Sequence, residues 1–84
     1  MINKDILKKQ IIYRSTHRGS KEMDIILGNF VKNYIDTFTD NELRDVEQLL
    51  CIEDEILHRW YFDKVDNKII PNNKISILLK KFKL

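Results

Sequence analysis

Few residues of this 84-residue chain could do covalent or metal chemistry, and their spacing works against them. His17 and His58 lie far apart with Cys51 between them, and no CxxC or HxxxH pair occurs. No metal-ligand set can be read from that pattern. Cys51 and His58 are seven positions apart across a helix junction, a poor spacing for a nucleophile and its base. Cys51 follows Leu49-Leu50 and is expected to be a buried structural thiol. Gly19 and Gly28 are the only glycines, and neither follows a strand, so there is no Gly-rich phosphate loop and no dinucleotide fold. The chain does not read as an enzyme, and it offers no catalytic, metal-binding or cofactor-binding residue.

Charge gathers instead around one glycine. In His17-Arg18-Gly19-Ser20-Lys21-Glu22-Met23-Asp24 an arginine precedes the glycine and two carboxylates follow it. Arginine offers a planar fork of donors suited to a carboxylate, a phosphate or a cluster of carbonyls. Glycine has no side chain, so a partner's backbone can approach it closely. Glu22 is spaced to pair with Arg18 or to aim at a basic group on a partner, and Arg14 and His17 extend the polar patch. The segment reads as a partner-binding surface. Arg18 is expected to point outward, so that its removal leaves the melting temperature nearly unchanged. The bland alternative is a helix-ending glycine with solubilising neighbours.

The elements that must hold this patch are helical. The first spans residues 5–17, with Leu7, Ile11 and Arg14 on one face and Ile6 and Tyr13 beside it. Gly19 should stop it by adopting the left-handed conformation. A second helix over 21–35 carries Met23, Ile26, Leu27, Phe30 and Tyr34, with Ser20 as its N-cap and Glu22 and Asp24 in its first turn. Thr39 and Glu42 form a capping box, with Phe38 and Leu43 placed as a hydrophobic staple, for a helix through Val46, Leu49 and Leu50. Glu53-Asp54 opens a fourth helix containing Ile56, Leu57, Trp60 and Tyr61. Residues 63–73 read as a loop, and 74–83 as a last helix with Ile75, Leu78, Leu79 and Phe82 on one side. Phe30 and Trp60 are expected in the core, and Tyr13 and Tyr34 are expected to pack their rings and keep a hydroxyl at the edge.

At 43% hydrophobic and 33% charged, the chain has enough apolar residues to fold as one domain, residues 1–84. The expected class is all-α, a compact five-helix bundle. A lone cysteine suits a reducing compartment. No stretch reads as a signal peptide or a bilayer span, which makes a cytoplasmic protein the expectation. The formal charge of +2 is dispersed. Lys8, Lys9, Arg14, Arg18 and Lys21 make the first third basic, residues 36–55 are acidic, and Lys80-Lys81-Phe82-Lys83 is basic again; such charges are mostly solvated helix faces.

Arg18-Gly19-x-x-Glu22, followed by Met23 and Asp24, resembles the signature of the succinate dehydrogenase flavinylation factors, small proteins that assist covalent FAD attachment. The resemblance covers nearly the whole chain. An aromatic-bearing second helix with Phe30 leads to Asp36-Thr37-Phe38-Thr39-Asp40, then to paired Leu49-Leu50, an acidic Glu53-Asp54 turn and a helix centred on Trp60. The departures are His17, where a second arginine is common, Met23 in place of leucine, and a divergent tail after Phe62.

The resemblance implies an assembly factor that binds the flavoprotein subunit of succinate dehydrogenase, or of the related fumarate reductase. It implies a bacterial cytoplasmic protein, read as a monomer, without membrane insertion and without a nucleic-acid partner. FAD is then the client's cofactor, bound to the client's histidine, and none is held stably by this chain. Arg18 and Glu22 would anchor the contact, Gly19 would admit the partner and Asp24 would support the turn. The alternative from another class is a small nucleic-acid-binding helical module, or an antitoxin-like interaction module. Against nucleic acid, Glu22 and Asp24 would face phosphates at the start of the second helix.

Overall fold

A computed structural model describes residues 3–83. Five α-helices follow one another: α1 (Lys4–Thr16), α2 (Lys21–Tyr34), α3 (Asp40–Leu50), α4 (Asp54–Phe62) and α5 (Lys74–Lys81), with a 3-10 turn over Ile35–Thr37 closing α2. No strand occurs among the described residues. The all-α, five-helix architecture is the expected one.

Local chemistry fixes most of the starts. Ser20 Oγ accepts the Met23 N–H at the head of α2. Thr39 and Glu42 form a reciprocal capping box at the head of α3, with Phe38 and Leu43 both buried behind it. Two further caps escaped the sequence reading. Asn3 caps α1 through Oδ1, and Asn73 with Ser76 forms a second capping box on α5. Asparagine is common enough in this chain that its capping positions do not stand out.

α1 packs on α2 and α3, α3 on α5, and α2 on α4. The buried centre comprises Ile11, Met23, Leu27, Phe30, Leu43, Leu57, Ile75 and Leu79. Full burial of side chains this size contributes about 1.5–3 kcal/mol each before the entropy of ordering them. Trp60 joins that core, and Phe30 packs against Tyr34, Phe38 and Phe82.

α1 departs from expectation. It buries Leu7, Ile11 and Ser15, a stripe one residue wide. Arg14, expected beside Leu7 and Ile11, is exposed, and Ser15 occupies the inner position by donating to Ile12 O at 2.8 Å. Ile6 and Tyr13 lie 54% and 62% exposed, and the Tyr13 ring stacks on His17 instead of entering the core. Cys51 is also exposed, contrary to the buried thiol expected. It caps α3, one position beyond Leu50, where the helical rotation has already turned the chain outward.

Candidate functional site

The link between α1 and α2 is not a tight hairpin turn. Thr16, at the end of α1, lies against Gly28, two turns into α2: a β-carbon on Gly28 would meet Thr16 Cγ2 at 3.3 Å. Residues 17–20 therefore run back beside the first turns of α2, and α2 packs on α4 as well as on α1. Neither Gly19 nor Gly28 has a positive φ. The left-handed cap expected at Gly19 is absent, because α1 has already ended at Thr16 with His17 as its cap at φ −123°.

Arg18 turns inward. Its side chain is 9% exposed, and Nε donates to Asp54 Oδ1 at 2.6 Å. Nη1 donates to the Leu50 carbonyl and Nη2 to the Ile52 carbonyl, the latter at 2.7 Å. The last carbonyls of a helix have no intrahelical partner and carry its negative end, so a guanidinium placed there satisfies both needs. Asp54 opens α4, where a carboxylate meets the positive end of that helix. One partly buried ion pair thus fastens the link to the α3–α4 corner. The planar fork is engaged within the fold and is not presented to solvent.

Asp54 and a second acid, Asp24, hold the backbone on either side of Gly19. Asp54 Oδ2 accepts the Ser20 N–H at 3.0 Å, and Asp24 Oδ1 accepts the Arg18 N–H. Between these fastenings Gly19 is exposed. Nothing internal demands a glycine there, since a β-carbon would have only an ordinary 3.5 Å contact with Asp54 Oδ2.

Glu22 pairs with neither Arg18 nor any other arginine. It is exposed, and its Oε2 accepts from Ser20 Oγ at 2.9 Å. Its own backbone N–H and the Ser20 hydroxyl hold its carboxyl below the ordinary value, with the charges of His58 and Lys21 adding. His17 stacks on Tyr13 with centroids 3.9 Å apart, and its Nδ1 lies 2.8 Å from Tyr13 O. Arg14 reaches the α3–α4 corner as well, with Nη1 at 3.7 Å from Cys51 Sγ, between the two residues whose carbonyls Arg18 meets.

Of the six residues singled out from sequence, the structure places Gly19, Glu22 and His17 on the outside of the link, Arg18 and Asp24 beneath it, and the exposed Arg14 against Cys51 at the α3–α4 corner. Asp54, read from sequence only as a helix start and part of an acidic turn, is the site residue that reading did not pair with Arg18, because the two lie 36 positions apart. Elsewhere, Lys4, Lys8, Lys74 and Lys80 sit within 4 Å of Asp40, Asp36, Glu42 and Asp66, so the lysines do not form one free basic face. No cluster of three or more His, Cys, Asp or Glu side chains able to hold a metal occurs among the described residues. No helix among them is long and apolar enough to cross a membrane.

Comparison with known proteins places this geometry in context. The family model described as flavinator of succinate dehydrogenase matches residues 9–83. The FAD assembly factor SdhE of Acetobacter pasteurianus is 34% identical over 74 residues, 88% of this chain and 65% of that protein. The mitochondrial succinate dehydrogenase assembly factor 2 of Scheffersomyces stipitis is 34% identical over 77 residues, 90% of this chain and 52% of that one. Its counterpart in Meyerozyma guilliermondii is 32% identical over 74 residues, 87% of this chain and 55% of that one. The chain thus spans between half and two thirds of the length of these curated relatives. No solved structure matches it significantly.

Proposed function

The chain belongs to the flavinator of succinate dehydrogenase family, and on that premise we propose that it is an assembly factor for a flavoprotein subunit. It binds the subunit of succinate dehydrogenase, or that of fumarate reductase, and raises its content of covalent FAD. The flavin remains the client's cofactor throughout. This chain acts by holding the client so that flavin and acceptor side chain are aligned, a placement effect that can contribute several kcal/mol to a barrier. It works as a cytoplasmic monomer and needs neither nucleic acid nor membrane insertion.

The observation that carries this reading is the exposed Gly19, braced on both sides yet required by nothing inside the fold. A bare backbone on a rigid support suits close approach by another chain. Glu22 and His17 lie next to it and supply directional polar contacts. Arg18, read from sequence as an anchor of the contact, serves this surface from below, together with Asp24, which was expected to support the turn.

Covalent flavin survives denaturation and loosely bound flavin does not. The test is therefore in-gel fluorescence of the denatured flavoprotein subunit, co-expressed with and without this chain. A clear rise in fluorescence with the chain present supports the function. Equal fluorescence in both would overturn it.

A further inference from the structure

We infer that Asp54 is a positioning residue for the Gly19 surface, dividing its carboxylate between the Arg18 side chain and the Ser20 backbone so that the glycine is held in a docking-competent shape. The inference rests on the docking reading above and assigns Asp54 a part in it.

The two oxygens do different things. Oδ1 faces Arg18 Nε at 2.6 Å, completing a guanidinium already bonded to the carbonyls of Leu50 and Ile52. That half secures the corner between α3 and α4 and is structural. Oδ2 accepts the Ser20 N–H at 3.0 Å. Ser20 is the N-cap of α2, and its N–H belongs to no helix; water could satisfy it without loss to the core. The effect of this second bond is to fix the chain direction immediately after Gly19. Asp24 does the same before it, through the Arg18 N–H. Binding is tighter when the surface need not be ordered on contact, so both bonds favour association through preorganisation.

The test separates shape from stability. Paired replacement Arg18→Met with Asp54→Leu removes both charges and keeps apolar bulk at the corner, an exchange that buried ion pairs often tolerate. Alongside Asp54→Ala, it is compared with wild type for melting temperature, amide hydrogen exchange at Ser20 and affinity for the flavoprotein subunit. The paired variant leaves no unpaired charge but still takes the donors from the Leu50 and Ile52 carbonyls, so it is expected to melt below wild type yet stay folded at the assay temperature. It is expected to exchange the Ser20 amide at least tenfold faster, and to bind at least tenfold more weakly per folded molecule. Wild-type affinity in a variant whose Ser20 amide exchanges freely would overturn the positioning role. So would a Ser20 amide that stays protected without Asp54.

The wild-type chain supplies a reading that depends on no variant. Its Ser20 amide should exchange more slowly than that of Lys21, and an unprotected Ser20 amide would also overturn the inference. A wild-type chain that binds no flavoprotein subunit defeats the docking reading itself, a result distinguishable from any change in exchange.

Discussion

A β-carbon added at Gly19 would stand 3.5 Å from Asp54 Oδ2, an ordinary contact, on a backbone without a positive φ. The fold therefore admits alanine at this position. Gly19→Ala should leave stability unchanged or raise it by up to about 1 kcal/mol, since alanine narrows the unfolded ensemble. Gly19→Asn should fold equally well. Both should weaken association with the flavoprotein subunit, because any side chain stands where the partner's backbone must come. Denaturant titration beside a binding isotherm decides it. Either variant binding like wild type would remove close approach as the reason for the glycine.

Arg18 behaves oppositely. Removing its side chain leaves the half-buried Asp54 without its charge partner and strips the Leu50 and Ile52 carbonyls of donors. Breaking one side of a fully buried pair costs roughly 3–5 kcal/mol, much of a small domain's stability, and this partly buried pair should cost somewhat less. Arg18→Ala should therefore lower the melting temperature severely, contrary to the outward-facing residue expected from sequence. Arg18→Lys should recover only part of the loss, because a single ammonium cannot reproduce the fork. An unchanged melting curve for Arg18→Ala would mean that the inward contacts contribute little.

The difference between these two neighbours marks what the sequence could reveal. Features whose causes lie within a few residues were legible: the Thr39–Glu42 box, the Ser20 cap and the apolar stripe of α2 follow from spacing alone. The Arg18-Gly19-x-x-Glu22 run was visible as a cluster. Its internal arrangement was not, because Arg18 meets Asp54 across 36 positions and no local spacing encodes that pairing. The spacing of Glu22 allows either a pair with Arg18 or an aim at a basic group on a partner; the first needs both residues on one helix, and α1 stops before Arg18. Cys51 failed for a related reason. A hydrophobic run predicted burial, while the helix end at Leu50 set the direction in which the next side chain points.

Leu50 offers the reference for a purely internal loss. It is 4% exposed at the end of α3, and its truncation removes packing without touching the exposed surface of the link. Leu50→Ala should cost roughly 2–5 kcal/mol. Residual binding per folded molecule should match wild type. Affinity that falls further than the folded fraction does would show that the α3 end shapes the docking surface as well.

Acid should weaken the α3–α5 contact through Glu42. The Lys74 ammonium at 2.7 Å, with the Thr39 N–H behind it, holds the Glu42 carboxyl below its ordinary value of 4.5. A carboxylate depressed in the folded state contributes stability that is complete above the unfolded value and is lost as pH falls through the folded one. Urea midpoints should therefore decline from about pH 5 downward. Glu42→Gln should start lower at neutral pH and show a flatter acid limb. Parallel limbs for the two proteins would indicate that other carboxylates set the acid sensitivity.

Glu22 carries the last distinction, between a charge that caps a helix and one that meets a partner. It lies in the first turn of α2, exposed, with Ser20 Oγ as its only described side-chain partner. Glutamine keeps the shape and an acceptor for that hydroxyl but removes the charge, so Glu22→Gln should change the melting temperature little. If the carboxylate faces a cationic group on the flavoprotein subunit, affinity should fall roughly tenfold or more, and the deficit should shrink as added salt screens the wild-type attraction. Because the Glu22 carboxyl is held below 4.5, wild-type binding should be flat in this respect from neutral pH down to about 5 and weaken only on further acidification. Glu22→Gln binding should lack that acidic fall. Equal affinities at low and high salt for both proteins would confine Glu22 to its helix and leave Gly19 and His17 to define the contact.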